Sequence, residues 1–419
     1  MSGKQGLSGS SQSVVRSVIA LGVLSLSAAP LSGQTVTRDP SVADLPRKGY
    51  EPRTIRVGAV VIQPSVDAAL TYDDNIFASP NGIVGDEIIA LSPRIDVRRQ
   101  GVDLDFSAEV HADLIRYNAN SKENVNLFGG VLETRARLSK RHSLNASMSF
   151  DRGFERRSDP EATVNRALPP TLTNISTVNV KYRADGARFG AVVDVLASQL
   201  DYLSRQEDDR DLRTYRLSVR ALLNFDRRIA LFIEPYVNRR DARRRLDRNG
   251  LDQDSTTTGL LGGVSFDIGD KLQGDAGIGV FRAQPEAAPL RAYSGLAANG
   301  RIVWRPRRRT AIVIAGFRGD VATVRAGALG RIDTRLTISI EQEARHNLLL
   351  HGSVGVHNVH YRGTLNRDQR FVNAEIEARY LVNRHLSFSL AAAHTRRSAD
   401  DPGERFRRWR TTFAARLVY

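Results

Sequence analysis

From about Ala59 to the last residue, apolar side chains take every second position in one segment after another. The clearest run is Val102-Asp-Leu104-Asp-Phe106-Ser-Ala108-Glu-Val110-His-Ala112-Asp-Leu114, where seven apolar residues alternate with polar ones. Successive side chains of a strand point to opposite faces, so this run has one apolar and one polar face over roughly 40 Å. The period returns in Leu144/Ala146/Met148/Phe150, Tyr215/Leu217/Val219/Ala221/Leu223, Ile332/Thr334/Leu336/Ile338/Ile340 and Leu386/Phe388/Leu390/Ala392. A helix would group such residues at spacings of three and four.

The punctuation is also regular. Short polar turns centre near Gly101, Lys140, Gly186, Arg227, Gly269, Pro306, Arg345 and Asn383, at intervals of 37 to 46 residues. Between each pair, two strand patterns flank a longer loop; these loops include 152–172, 203–211, 240–255, 283–291, 319–330, 362–369 and 396–405. Eight turns and nine loops join 18 strands. An even count, with tight turns at one rim and long loops at the other, predicts an all-β fold. It is an antiparallel up-and-down transmembrane β-barrel of 16–18 strands with periplasmic turns and extracellular loops. Crossing a ~25 Å apolar band at ~40° tilt takes roughly ten residues per strand. Residues 59–419 supply about twenty for each strand with its connection. A water-soluble sandwich alternates too, but its strands usually run to five or six residues. Many here exceed ten.

The N-terminus breaks the pattern. Lys4 and Arg16 flank an otherwise uncharged start, and Ser17–Ala29 is an apolar run ending in small residues. It is too short to span a bilayer and has the flanks of a secretory signal, which places residues 1–33 in a signal peptide cut before Gln34. Residues 34–58 then form a short periplasmic extension, too small for a separate plug, and 59–419 the barrel. The expected location is the outer membrane of a Gram-negative bacterium.

If the apolar rows face lipid, the alternate rows face the lumen. That places Arg94, Arg98, Arg135, Arg137, Arg216, Arg220, Tyr236, Arg240, Arg331, Arg335, Arg379 and Arg410 inside, as candidate contacts for a permeating solute or polymer. The loops 152–172 and 240–255 are the candidate constrictions, the second through Arg243, Arg244 and Arg245. The formal charge is +15, and only six of the 61 basic residues are lysine. Fixed guanidinium groups in that number favour anionic cargo, while pairing with neighbouring carboxylates accounts for many of them singly. The basic turn Arg305-Pro-Arg-Arg-Arg309 suits lipid headgroups or a periplasmic export component equally.

Other chemistry finds little support. The chain has no cysteine, which removes thiol chemistry and cysteine-based metal sites. His351, Ser353 and His357 share one strand face, but the two histidines stand ~20 Å apart and no orienting acid is readable. An enzyme is not expected, nor a cofactor, nor a metal site. An exported all-strand chain with a basic pI does not suggest nucleic acid as a partner.

The stretch from Arg56-Val-Gly58 through Pro64-Ser65 to Tyr72-Asp73-Asp74-Asn75-Ile76-Phe77 resembles the first strand of the putative β-barrel porin family of proteobacteria, often found beside exopolysaccharide gene clusters. The resemblance implies an outer-membrane channel linked to export of an acidic polysaccharide, with a general diffusion porin for small hydrophilic or anionic solutes as the alternative. The Asp-Asp-Asn group reads as a turn former, or as a loop able to hold a divalent cation. At the other end, Trp409, Thr411, Phe413, Ala415, Leu417 and Tyr419 alternate to an aromatic terminus. This resembles the terminal strand by which the barrel-assembly machinery recognises such proteins. Outer-membrane lipid would surround the whole.

Overall fold

A computed structural model of the chain describes residues 41–162, 166–247, 250–269, 271–286, 291–363 and 367–419. The proposed signal, 1–33, lies outside them. A three-residue strand, β1 (Ile55–Val57), forms a hairpin with β2 (Val60–Asp73). There follow β3 (Asp86–Arg99), β4 (Leu104–Tyr117), β5 (Val125–Arg137), β6 (His142–Phe154), β7 (Leu172–Asp185), β8 (Phe189–Tyr202), β9 (Leu212–Asn224) and β10 (Ile229–Ala242). The second half comprises β11 (Ser255–Ile268), β12 (Leu272–Pro285), β13 (Tyr293–Arg307), β14 (Thr310–Val321), β15 (Ala328–Arg345), β16 (Leu348–Gly363), β17 (Asp368–Leu381), β18 (Leu386–Ala399) and β19 (Phe406–Val418).

Each strand pairs antiparallel with the next, and β19 returns to β2 from Arg410↔Asp73 to Val418↔Ser65. The 18 strands β2–β19 therefore close. Closure removes both sheet edges, which a strand assembly in hydrocarbon cannot leave unpaired. All eight short turns fall within two residues of the positions expected from the sequence.

The outward rows are apolar and exposed, as in Val110, Met148, Leu217, Ile338, Leu390 and Ile278, the last 75% accessible. Aromatic residues sit at their ends: Tyr72, Tyr215 and Trp409 towards the loop rim, Trp304, Tyr380, Tyr182 and Tyr419 towards the turn rim. Such girdles mark the two interfaces of a bilayer.

The inward rows are not uniformly polar. Val192, Leu222, Phe232, Tyr236, Leu261, Phe281 and Ala297 cluster on the inside of β8–β13. Three of these aromatic rings lie on glycines of the neighbouring strands: Tyr236 on Gly259, Phe232 on Gly263 and Gly277, Phe281 on Gly295. A Cβ at Gly263 would stand 2.6 Å from Phe232 Cζ, and one at Gly295 2.7 Å from Phe281. Glycine is needed there for the space it leaves.

Gly262 and Gly263 are adjacent but face opposite ways, and a Cβ at Gly262 meets nothing closer than 3.9 Å. Gly263→Ala is expected to lower the unfolding free energy in detergent by about 1–3 kcal/mol, the usual cost of overpacking. Gly262→Ala should leave it within about 0.5 kcal/mol of the native protein. Urea titration followed by tryptophan fluorescence compares the two.

Candidate functional site

The barrel wall departs from a cylinder at one place. β13 and β14 pair only as far as Ala298↔Arg318, whereas β14 stays beside β15 up to Val321↔Arg331. Beyond that point the β14–β15 hairpin parts from β13 and folds into the lumen, with β15 still laddered to β16 as far as Ala328↔Gly363. Ile332 joins the apolar cluster on the inner faces of β8–β13. The tip residues Ala322 and Val324 pack on Leu200, Tyr202 and Leu212 at the loop rim of β8 and β9. Ala328, on the same hairpin, packs on the opposite side with Ala78, Val359, Tyr361, Phe371 and Phe406. The hairpin thus bridges the loop-rim mouth, and Val321, Arg331, Asp333 and Tyr361 have no accessible surface.

Ion pairs hold both of its faces. On one, Asp320 accepts from Arg240 at 2.7 Å, Thr257 Oγ1 at 2.6 Å and the Tyr293 hydroxyl at 2.6 Å. On the other, Arg331 lies between Asp333 at 3.1 Å and Glu161 at 2.5 Å, and Asp333 also pairs with Arg335 at 2.5 Å and His357 at 3.0 Å.

Glu161 belongs to the loop 155–171, which joins β6 and β7 on the far side of the barrel from β15. Its residues 155–161 cross the lumen. Its Pro160 carbonyl accepts the Tyr361 hydroxyl at 2.9 Å, Ser158 Oγ accepts from Arg408 at 3.2 Å, and Glu161 also accepts Thr323 Oγ1 at 2.9 Å. Behind the crossing, Arg210 binds Glu155, and Arg157 binds Glu123 at 2.7 Å. Loop and hairpin together bridge the loop-rim half of the lumen.

Of the two loops singled out from sequence, 152–172 constricts the barrel through residues 155–161, whereas the predicted arginines of 240–255 do not. Arg243, Arg244 and Arg245 remain exposed at the rim, where they pair with Asp211 at 3.0 Å, Asp208 at 3.3 Å and Asp252 at 2.8 Å. Local carboxylates hold them outside. That loop still touches the closure through Asp247, which accepts the Gly327 N–H at 3.0 Å.

All twelve wall residues predicted to face inward occupy inward rows, but few meet open water. Arg220 is buried between Glu234 at 2.5 Å and Asp275 at 3.6 Å, and the Arg216 guanidinium covers the Tyr236 ring at 4.5 Å. Arg240, Arg331 and Arg335 serve the hairpin. Arg94 and Arg98 pair with Glu109 and Asp96, both at 3.6 Å, and Arg379 pairs with Glu377 at 2.8 Å. Arg135 and Arg137 stand exposed on the inner wall near the turn rim. The row Ile332/Thr334/Leu336/Ile338/Ile340 is corrected at its first member: Ile332 does not face lipid, because the hairpin has parted from β13 there and Ile332 packs on the inner cluster.

Glu161, Asp320 and Tyr293 were not foreseen. The available signal was the apolar tip Val321-Ala-Thr-Val324, an unsuitable sequence for a water-exposed loop.

The Asp73-Asp74-Asn75 group makes a turn. Asn75 N–H bonds Asp73 Oδ1 at 2.9 Å, the Asn75 amide bridges to Ser79 and Arg407, and Asp74 accepts the Trp409 N–H at 2.8 Å. These bonds fold Phe77 and Ala78 inward, Ala78 with a φ of 49°. Among the described residues, His351, Glu375 and Glu377 bring potential ligand atoms within 4.8 Å of one another on the inner wall. Arg379 already supplies Glu377 with a counter-charge.

The model of one protein family, described as "Putative beta-barrel porin 2", matches residues 48–417. The chain belongs to this family. Its place is the outer membrane of a Gram-negative bacterium, so the turn rim is periplasmic and the loop rim extracellular, and the barrel and family indicate a channel rather than an enzyme. No curated protein matches the chain. Among solved structures it is similar to the outer-membrane protein opdK from Pseudomonas aeruginosa (11% identity, 85% of this chain and 99% of that one, TM-score 0.44). It is also similar to a BenF-like porin from Pseudomonas fluorescens Pf-5 (11%, 85% and 99%, TM-score 0.45). A third similar structure is the FrpB iron transporter from Neisseria meningitidis (F5-1 variant; 11%, 85% and 65%, TM-score 0.46). The porin spans just under two thirds of that transporter's length.

Two expected outcomes follow from the closure. Removing one member of a buried ion pair costs about 3–5 kcal/mol, whereas replacing both by apolar groups of similar volume is often neutral. Glu161→Ala is therefore expected to loosen the hairpin and raise single-channel conductance, and Glu161→Met with Arg331→Met to restore only part of the closure, because buried Asp333 then loses Arg331. The second outcome concerns pH. Burial pushes the Asp159 carboxyl up to about 7 against the pull of Arg156, with Glu155 and Arg408 also nearby. The folded loop thus binds this proton more tightly than the unfolded chain. Its contribution to closure is full below pH 3.8 and is lost as pH rises through about 7. Proteolysis of the loop should accelerate as pH rises from about 4 to about 7, and Asp159→Asn should flatten that dependence.

Proposed function

We propose that this porin is a gated outer-membrane conduit through which an acidic exopolysaccharide leaves the cell. The closed mouth carries the reading. Free diffusion of small solutes has no use for a hairpin and a loop tied across the lumen by buried ion pairs, whereas a passage wide enough for a polymer has to be sealed when idle. Eighteen strands at ~4.8 Å spacing and ~40° tilt give a backbone diameter of ~35 Å, wide enough for a hydrated sugar chain once the closure swings aside.

Other observations favour the same cargo. The chain carries a formal charge of +15, and Arg135 and Arg137 stand exposed in the periplasmic half of the lumen, where an outgoing polyanion arrives. The first strand resembles proteins found beside exopolysaccharide gene clusters. On the periplasmic side, Ser41 and Val42 bind Glu341 at 2.6 and 2.8 Å, and Arg47 binds Glu343 at 3.2 Å. The segment 41–50 therefore lies along the mouth of β15, beside the exposed Pro306-Arg307-Arg308 turn. A periplasmic export component would meet the barrel there.

Planar-bilayer recording tests the proposal. The native protein is expected to give small, infrequent openings. Glu161→Ala should give a large ohmic current that polygalacturonate blocks from the periplasmic side. A large native current indifferent to the polymer would overturn the proposal in favour of a general diffusion porin, and the absence of current from both proteins would make the barrel purely structural.

A further inference from the structure

Below the crossing loop, three guanidinium groups converge on the inner wall. Arg408 and Arg410 project from the same face of β19, two residues apart, and Arg156 comes from the loop just after it leaves β6. Arg408 is buried. Its Nη1 stands 3.7 Å from Asp73 and its Nη2 donates to Ser158 Oγ, but its Nε is buried without a partner. The Arg410 side chain makes no hydrogen bond or ion pair among the described residues, and its Nη2 is buried as well. Buried guanidinium nitrogens left unpaired are costly, and three like charges together add to that cost.

The nearby carboxylates make no hydrogen bond to these unpaired nitrogens. Those facing the group are Asp73, Asp113, Asp159 and, from β17, Glu375, together with the Tyr117 hydroxyl. Each aspartate also accepts another donor: Asp73 the Asn75 N–H at 2.9 Å, Asp113 the Ser92 hydroxyl at 2.5 Å, and Asp159 the Arg156 backbone N–H at 2.9 Å. Glu375 lies beside His351 and Glu377. None forms a direct ion pair with Arg156 or Arg410 among the described residues. Arg410 is also part-exposed to the lumen. Donor nitrogens of Arg408 and Arg410 are therefore left without a partner beside the lumen.

We propose that Arg156, Arg408 and Arg410 bind a carboxylate group carried by the permeating polymer. The planar fork of a guanidinium matches a carboxylate with two parallel hydrogen bonds, and three such forks can hold one group or hand it on to the next. The proposal rests on the reading of the cargo as an acidic polysaccharide and names the side chains that recognise it. Because Arg156 and Ser158 belong to the crossing loop, a carboxylate seated here competes for the contacts that keep the loop in place. Recognition of cargo and release of the gate then meet at one site.

Calorimetric titration of the full-length protein in detergent with oligogalacturonate tests the site, with a neutral maltooligosaccharide of equal length and sodium sulfate as comparators. The native protein is expected to bind the acidic oligomer at least ten times more tightly than the neutral one. Arg410→Gln should weaken acidic binding about tenfold or more, Arg410→Lys less, and Arg156→Gln should act in the same direction from the loop side. Unchanged affinity in both glutamine variants would overturn the site, and the two positions guard against one failing to fold. Sulfate competing as well as the oligomer, mole for mole, would mean that the arginines take free anions and would overturn the polymer assignment. Polymer block of the current that survives in Arg410→Gln would refute this site and leave the conduit standing. Arg410-dependent binding without any conductance would support the site and refute the conduit.

Discussion

A backbone that crosses hydrocarbon must pair every N–H and C=O within the protein, and here that obligation is met at the seam between β19 and β2. Everything else depends on this closure. The strands between the two termini only extend the same ladder, and their outward rows need only be apolar. With the seam formed, the interior becomes a compartment whose contents are free to depart from barrel regularity. The lumen of this porin does so in its extracellular half, where a wall hairpin turns inward and a loop crosses to meet it.

That departure has a cost, which local chemistry offsets. Where β14 parts from β13, ladder hydrogen bonds of the wall are given up, and charged groups are moved away from water. Asp320 and Arg331, on opposite faces of the hairpin, each find more than one partner, so neither is left as an isolated buried charge. Ile332 and the tip residues bury apolar surface that the lumen of an ordinary wet channel would leave exposed. The closure is therefore a second packed core inside the barrel. It stays tied to the wall through the β15–β16 ladder, which runs up to Ala328↔Gly363.

Much of the barrel was legible because its physics is local. Side-chain direction alternates along any strand, so Val110, Leu217 and Ile338 had to share a face with their neighbours whatever lay beside them. The turns were legible for a similar reason, since a short polar break between two alternating runs has few ways to fold. The site was legible only in part. Arg216, Arg240 and Arg331 could be assigned to inward rows by parity, but parity does not distinguish a residue in water from one packed against a loop. Arg243–Arg245 show the limit from the other side. A dense run of arginines suggested a constriction, and their carboxylate partners on the 203–211 loop and at Asp252 hold them at the rim instead.

The sequence by itself determined the strand count, the register of lipid-facing and inward rows, the turn positions and the wealth of guanidinium groups. Each depends on residues close together in the chain. Only the tertiary structure decided that the extracellular mouth is bridged, because the bridge brings Glu161 to Arg331, Arg240 to Asp320 and Ser158 to Arg408. These contacts span from 80 to 250 residues, and no periodicity records them. A ladder is written in neighbours, whereas a plug depends on which distant side chains can satisfy one another once water has been excluded.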